Sequence, residues 1–320
     1  MKKQNRKTIR TFLLSLLVIL AVLLGVYAAG IYQIVHFNSE MVIPDGDNNR
    51  LVTFRPDEQG LIYTTTGQPV TIDMGSRHCF ITTATLTNFK RCGYPATEYP
   101  TLILTSDQSG HYRIYTRKVV MPIILFVHPD TTEIVRFENV ELLISDKEEG
   151  NVIGMDFLER FVIERDVDTG EIALLRNVPQ NYTYVCDINS RDSSIGDIIG
   201  YSRRMYIPLR VNDDEPQNYY MDTGRGIRSC ELVQPVKNIS KATSNVYADP
   251  ETGMMTQDNC RVMIGNRMRF ARVTYSDTLH TDQYSINPFK IFNRSIALDL
   301  PNRKLYYRCV EEVKDSLPLT

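Results

Sequence analysis

Two aspartates in this chain each stand at the end of a short apolar segment and two residues before a glycine. Asp73 lies in the segment 70–75 and Asp222 in the segment 219–224. A strand that ends in this way holds its carboxyl group near a buried surface, and the glycine lets other backbone approach it closely. If two such loops face each other, the carboxyl groups share one proton, because like charges at that distance cannot both ionise cheaply. One carboxylate can then take a proton from a water that attacks an amide carbonyl, while its protonated partner hydrogen-bonds the developing oxyanion.

The features around these aspartates occur twice and in the same order. Each aspartate is followed, further along the chain, by an apolar segment and then by Gly154 in the first copy or Asn287 in the second. Each copy continues through a polar turn to an apolar segment that ends in Arg176 or Arg308, at nearly the same spacing. Two features repeated in one order indicate an internal duplication.

The order of an apolar strand, Asp-Thr/Ser-Gly, a long β segment and an apolar-apolar-Gly triplet resembles the retropepsin and pepsin families of aspartic peptidases. The resemblance covers both halves of the chain, roughly residues 48–178 and 204–310. It implies two retropepsin-like β-barrel lobes, with Asp73 and Asp222 as the catalytic pair. It also implies that five residues support the active-site loops: Gly75, Ser76, Thr223, Gly224 and Gly154.

The resemblance further implies the kind of partner that such a site binds. A flap from each lobe would close over an extended peptide or an unfolded protein segment, and the polar stretches 106–111 and 253–259 are the candidate flaps. The five histidines are scattered, and no Cys/His cluster has zinc spacing. We therefore expect neither a metal nor a cofactor.

Three positions depart from the family pattern. Met74 stands where the family carries Thr or Ser, Arg225 follows the second Asp-Thr-Gly, and Asn287 replaces the expected glycine. A cation beside the carboxyl pair favours its doubly ionised state and opposes the shared proton. Two hypotheses therefore stay open: an aspartic endopeptidase, and a non-catalytic module that keeps the peptide cleft for binding.

A third Asp-x-Gly, the Asp-Thr-Gly that begins at Asp168, does not fit the pattern. It follows charged residues instead of an apolar strand, and it comes after Gly154 instead of before it. Its composition is typical of a hairpin turn.

The chain after the N-terminus has the composition of an all-β protein. Short apolar runs rich in Val, Ile, Tyr and Thr alternate with turn residues. We predict a first lobe over residues 46–180, a polar linker over 181–203 and a second lobe over 204–312. Short helices are expected near residues 156–161 and 288–292.

The N-terminus has the pattern of a membrane anchor. Residues 1–10 are basic, and residues 11–35 contain no charged side chain, which is enough to cross a bilayer as a helix. The pattern predicts a single-pass signal anchor with a cytoplasmic N-terminus and lobes on the periplasmic or extracellular side. A cleaved signal peptide ending near Ala29 is the alternative.

The charge and the cysteine content bear on nucleic-acid binding and on disulfide bonding. A net charge of −2, with no Lys/Arg run beyond the N-terminus, gives no support for a nucleic-acid partner. The six cysteines suggest local disulfides, Cys79–Cys92 and Cys230–Cys260, if the lobes lie outside the cytoplasm. Buried free thiols are the alternative.

Overall fold

The computed structural model describes the chain in the following stretches: residues 15–25, 27–28, 40–46, 48–57, 61–64, 67–106, 112–126, 133–146, 150–191, 204–224, 231–241, 246–250, 252–276 and 284–308. Within them the protein is mostly β, as the sequence predicts. Residues 15–25 are helical, and the rest of the predicted anchor is described only at residues 27–28. In the described part of the chain, no helix is long and apolar enough to cross a membrane.

The first half of the chain forms strands that alternate with two helices. The strands are β1 (Arg50–Phe54), β2 (Leu61–Tyr63), β3 (Pro69–Ile72), β4 (Phe80–Thr82), β5 (Thr97–Ser106), β6 (Tyr112–Phe126), β7 (Ile134–Ser145), β8 (Asn151–Ile153), β9 (Val162–Arg165) and β10 (Ile172–Leu175). The helices are α1 (Thr83–Arg91) and α2 (Met155–Leu158).

The second half repeats this plan with a 3-10 helix where the first half has α1. Its strands are β11 (Tyr182–Asp187), β12 (Asn189–Arg191), β13 (Arg204–Val211), β14 (Gln217–Met221), β15 (Leu232–Pro235), β16 (Tyr247–Ala248), β17 (Met255–Ile264), β18 (Arg267–Ser276), β19 (Tyr284–Ile286), β20 (Ile296–Asp299) and β21 (Lys304–Arg308). The 3-10 helix is Val236–Lys241, and α3 is Pro288–Ile291.

Each half builds its own sheet, and the two sheets share one topology. The first sheet has the strand order β2-β3-β8-β4-β7-β6-β5, and the second has the order β12-β13-β14-β19-β15-β18-β17-β16. A further pairing of β13 with β17 closes the second sheet on itself. In both sheets the strand before the aspartate pairs in parallel with a strand from the end of the repeat: β3 with β8, and β14 with β19.

A third sheet, which we call the bridging sheet, joins the halves. Its order is β1-β10-β9-β20-β21-β11, so the two halves contribute equivalent strands about its centre. At the centre β9 and β20 pair antiparallel, with Ile163 opposite Leu298, and both side chains are fully buried. These residues belong to one apolar core that includes residues of both halves.

The structure differs from the prediction in two places. The stretch 181–203 was predicted as a linker, but residues 182–187 and 189–191 form β11 and β12. Tyr182 and Cys186 of β11 are buried, whereas its Thr183 and Asp187 are exposed. The short helices lie where they were expected, but α1 was not predicted. Thr82 caps it by accepting a hydrogen bond from the Thr85 N–H.

The predicted local disulfides are wrong. Cys79, Cys92 and Cys260 are free thiols, and Cys230 lies outside the described residues. The Cys79 thiol is buried and donates to the Asp156 carboxylate at 3.0 Å, whereas Cys92 is exposed at the end of α1.

Candidate active site

The two aspartates occupy equivalent positions at the ends of their strands. The Asp73 N–H donates to the Ile153 carbonyl at 3.0 Å, and the Asp222 N–H donates to the Ile286 carbonyl at 2.9 Å. Each aspartate therefore continues the parallel pairing of its sheet by one hydrogen bond. The glycine two residues later has no side chain, so the opposite carboxyl group can lie against its backbone.

The structure brings the two carboxyl groups together across the halves. A Cβ placed on Gly75 would lie 2.8 Å from the Asp222 Oδ1 and 3.0 Å from the Asp73 Oδ1. Both oxygens thus flank one point, and they lie within about 6 Å of each other, the range over which charges shift each other's pKa. A Cβ on Gly224 would lie 2.1 Å from the Asp73 Cγ. Only glycine fits at position 224.

The hydrogen bonds to Asp73 lower the pKa of its carboxyl group, whereas burial and the charge of Asp222 raise it. Its Oδ1 accepts from the Gly75 N–H at 2.7 Å and from the Gly224 N–H at 3.1 Å, so one donor comes from each half. Burial, and then the negative charge of Asp222, raise the pKa of Asp73 to about 6 against these donors. Asp222 is the more buried of the two, with 2% of its surface exposed. Asp73 can therefore hold a proton at mildly acidic pH.

Thr223 locks the two loops to each other. Its hydroxyl accepts from the Met74 N–H and donates to the Ile72 carbonyl, both at 2.9 Å. Both partners belong to the first-half loop, so a single side chain supplies this pair of cross-loop bonds. Met74 carries no hydroxyl that could supply the reciprocal bonds, and its side chain is buried with 1% exposure.

The segment that begins at Gly154 holds the first loop in place through backbone hydrogen bonds. The two residues after Gly154 donate backbone hydrogen bonds to that loop, from Met155 to the Ser76 carbonyl at 2.9 Å and from Asp156 to the Arg77 carbonyl at 3.0 Å. A Cβ at Gly154 would lie 2.3 Å from the His78 carbonyl oxygen, so a larger residue would push the loop away. The Ser76 hydroxyl donates to that same carbonyl at 2.8 Å.

At the position equivalent to Gly154, the second half has Asn287. The Asn287 N–H donates to the Glu231 carbonyl at 3.0 Å, and its side chain accepts from the Phe289 N–H at 3.0 Å. Asn287 therefore caps α3 and still contacts the segment that follows the second loop. Arg225, the other departure in this half, lies outside the described residues.

Sequence reasoning did not identify Asp156 as part of the loop support. Its carboxylate accepts from the Cys79 N–H at 3.1 Å and from the Cys79 thiol at 3.0 Å. Burial, and then the charge of Asp156, raise the pKa of the Cys79 thiol well above its ordinary value. The signal available in the sequence was an acidic residue two positions after Gly154.

A cluster of cations and aromatic rings beside the aspartates was also missed. The Tyr220 hydroxyl donates to the Gly75 carbonyl, and the Tyr206 ring lies 5.6 Å from the Tyr220 ring. The Arg204 guanidinium lies 5.7 Å from the centre of the Tyr220 ring. Burial, and then repulsion by Arg204, lower the pKa of Arg77. We call Arg77, Arg204, Tyr206 and Tyr220 the arginine–tyrosine cluster.

The remaining predictions concern Asp168 and the two candidate flaps. Asp168 is in the turn between β9 and β10, with its side chain 88% exposed. The first candidate flap falls between β5 and β6, and residues 107–111 are outside the described residues. The second candidate flap begins in the turn before β17 and continues into that strand. The topology makes these two turns equivalent in the repeat.

Comparison with known proteins gives a likeness of fold only. No protein-family model matches the chain, and no curated protein matches its sequence. The solved structure of EDGP superposes with a TM-score of 0.51 at 7% identity, over 82% of this chain and 96% of that one. Conglutin gamma, a basic 7S globulin from lupine seeds, superposes with a TM-score of 0.50 at 9% identity, over the same shares.

Proposed function

We propose that the chain is an aspartic endopeptidase built from two retropepsin-like lobes. The observation that carries the proposal is the pair of carboxyl groups, each held against the glycine of the opposite loop. The raised pKa of Asp73, about 6, supports one shared proton between them. The duplicated sheet topology supports a cleft formed by equivalent halves.

The chemistry follows from that protonation state. The ionised carboxyl group accepts a proton from a water molecule, whose oxygen attacks the carbonyl carbon of an extended peptide. The protonated carboxyl group donates a hydrogen bond to the carbonyl oxygen as it becomes negative. Collapse of the tetrahedral intermediate transfers a proton to the leaving amine and separates the two peptide products. The dyad returns to its singly protonated state.

Cleavage of an unfolded protein by the full chain tests this function. We expect cleavage below about pH 6 that declines above it, because one carboxyl group must keep its proton and the pKa of Asp73 is about 6. Asp73→Asn and Asp222→Asn should each abolish cleavage. Product formation from a denatured protein between about pH 3 and 8 is the measurement.

Asp168→Asn is the matched control for these variants. It changes the same residue type in another Asp-Thr-Gly, at an exposed turn, so cleavage should equal that of the parent. Cleavage that persists in both dyad variants would show that the site is misassigned.

A non-catalytic peptide-binding module is the second candidate. The buried Met74 favours it, because one half of the cross-loop lock has no hydroxyl and the dyad is less firmly held. One solved structure of the same fold is described as a seed globulin, so the fold alone is compatible with both candidates. Extended peptides that bind without being cut by the parent or by Met74→Thr would select the binding module.

We also propose that the N-terminal segment anchors the protein in a membrane, with the lobes on the extracytoplasmic side. The uncharged run 11–35 supports this, as do leucines exposed on its described helix, such as Leu17 at 63%. The protein should then sediment with membranes, and detergent but not high salt should release it. Release by salt alone would contradict anchoring.

A further inference from the structure

The second half contains a polar cavity of about 260 Å³ beside β14. Exposed residues of the turn between β13 and β14 form its rim, so the cavity is open to solvent. Buried residues of β14 and β15 form its inner wall. A space of this size holds several water molecules or one ligand about as large as a monosaccharide. Its polar lining includes Asp213, Asp214, Glu215, Tyr219, Gln234 and Tyr284.

The equivalent place in the first half is apolar and nearly closed. Tyr219 lies opposite Tyr284 in the parallel pair β14–β19, and Val70 lies opposite Asn151 at the same step of the pair β3–β8. Val70 and Asn151 line a cavity of about 40 Å³, whose other walls are mostly apolar side chains. Because the two halves share one topology, the fold does not require the larger cavity. Its size and polarity come from the side chains of the second half.

The inner wall of the cavity offers two hydroxyl protons. The Tyr219 hydroxyl accepts from the Gln234 amide at 2.6 Å, and the Tyr284 hydroxyl accepts from the Asn238 amide at 3.0 Å. A phenol hydroxyl can donate as well as accept. Among the residues that the structure describes, neither hydroxyl has an acceptor for its own proton. Tyr219 is only 1% exposed, and a buried donor without a partner is costly, so an oxygen atom of a ligand in the cavity would be stabilised there.

The rim of the cavity carries negative charge. Asp213 pairs with Arg261, whereas Asp214 and Glu215 form no ion pair with any described residue. Burial is the main cause of the raised pKa of Tyr219, and the charge of Asp214 adds to it. Asp214 therefore acts on the inside of this half as well as on solvent. An ammonium group at the rim would form charge-assisted hydrogen bonds with these carboxylates.

We propose that this cavity binds a small hydroxylated amine of the amino-sugar class. The ammonium group pairs with Asp214 and Glu215, and oxygen atoms of the ligand accept from the hydroxyls of the inner wall. Successive side chains of a strand point to opposite faces. Since the Tyr220 hydroxyl reaches Gly75 in the dyad loop, Tyr219 faces away from the dyad. The site is therefore separate from the proposed peptidase and does not depend on it.

Calorimetric titration of the full-length protein with three small compounds tests the site. Glucosamine should bind at about pH 6, where its amine is charged, with a Kd of about 1 mM or tighter. Glucose lacks the ammonium group and cyclohexylamine lacks the oxygen atoms, so each should bind at least about tenfold more weakly. Added salt should weaken the binding of glucosamine and leave that of glucose unchanged.

Substitutions assign the two parts of the ligand to their partners. Asp214→Asn should weaken glucosamine about tenfold and glucose by less than about twofold. Tyr284→Phe should weaken glucosamine about threefold or more and leave cyclohexylamine unchanged, because it removes only a hydroxyl. Tyr284 is half-buried, so this change disturbs the fold less than a change at Tyr219 would. Asp168→Asn, at an exposed aspartate of the first half, is the matched control and should bind glucosamine as the parent does.

Three results would overturn the proposal. They are no binding of glucosamine by the folded parent, equal binding of glucosamine and glucose, and unchanged glucosamine binding in the double variant Asp214→Asn with Glu215→Gln. Thermal unfolding without ligand checks that each variant is folded. Loss of glucosamine binding in a folded Asp214→Asn variant, with the Asp168→Asn control unchanged, would support the site.

Discussion

At the scale of single residues, Asp73 carries an electrostatic cost that depends on pH. Its pKa of about 6 in the folded protein lies above the ordinary value of 3.8, so the folded state holds the proton more tightly than the unfolded chain. The stability that this contributes is complete below about pH 3.8 and is lost as the pH rises through about 6. At neutral pH the ionised carboxylate therefore destabilises the fold.

Asp73→Asn should stabilise the protein at pH 8 by about 1–3 kcal/mol and have little effect near pH 4. The asparagine oxygen can still accept from the Gly75 N–H, so that hydrogen bond is kept. Urea unfolding of parent and variant at both pH values measures the difference, and Asp168→Asn serves as the exposed control. The same change in stability at both pH values would contradict the raised pKa.

At the scale of elements, the loops after β3 and β14 depend on one hydroxyl group. Thr223 satisfies the Met74 N–H and the Ile72 carbonyl together. The parallel pairs β3–β8 and β14–β19 hold the bases of these loops, but Thr223 sets the position of one loop against the other. The lock is therefore asymmetric, although the strands that carry it are equivalent.

Thr223→Val should destabilise the fold by about 1–3 kcal/mol, because valine keeps the shape and leaves both backbone groups without their partner. Peptide cleavage or binding should weaken with it. Thr223→Ser keeps the hydroxyl and should stay close to the parent in both assays. Thermal unfolding and peptide assays compare the two variants with the parent. If Thr223→Ser lost as much stability and peptide activity as Thr223→Val, the hydroxyl would not be the cause.

At the scale of the whole molecule, the bridging sheet carries a buried ionic centre. Glu164 on β9 accepts from the Tyr182 hydroxyl at 2.6 Å and from the Arg308 guanidinium at 3.2 Å, and it also pairs with Arg50. The Glu164 side chain is only 3% exposed. One carboxylate thus ties β1 and β9 of the first half to β11 and β21 of the second.

Glu164→Gln should destabilise the protein by about 2–4 kcal/mol, since it leaves two arginines beside a neutral amide. Glu171→Gln is the control, because the partner of Glu171, Arg55, is half-exposed and surface pairs contribute less than about 1 kcal/mol. Denaturant unfolding of both variants decides the matter. Equal losses would mean that the buried centre adds nothing beyond a surface pair.

The sequence by itself determined the features that depend on local pattern. The apolar segments before Asp73 and Asp222 form strands because short alternating runs suit half-buried sheets. The two short helices were predicted from residues near Gly154 and Pro288. The duplication could be predicted because the same motifs occur in the same order in both halves. Helix α1 was missed because four of its nine residues are Thr or Asn, poor helix formers whose placement depends on burial of Leu86 and Phe89.

Only the tertiary structure decided which residues meet. Arg77 and Arg204 are far apart in the chain and carry no pattern that pairs them, and Tyr220 reaches Gly75 only after the two halves pack. The pairing of β11 with β21 made part of the expected linker the edge strand of the bridging sheet. Such contacts depend on the packing of segments more than a hundred residues apart, and local periodicity does not encode them.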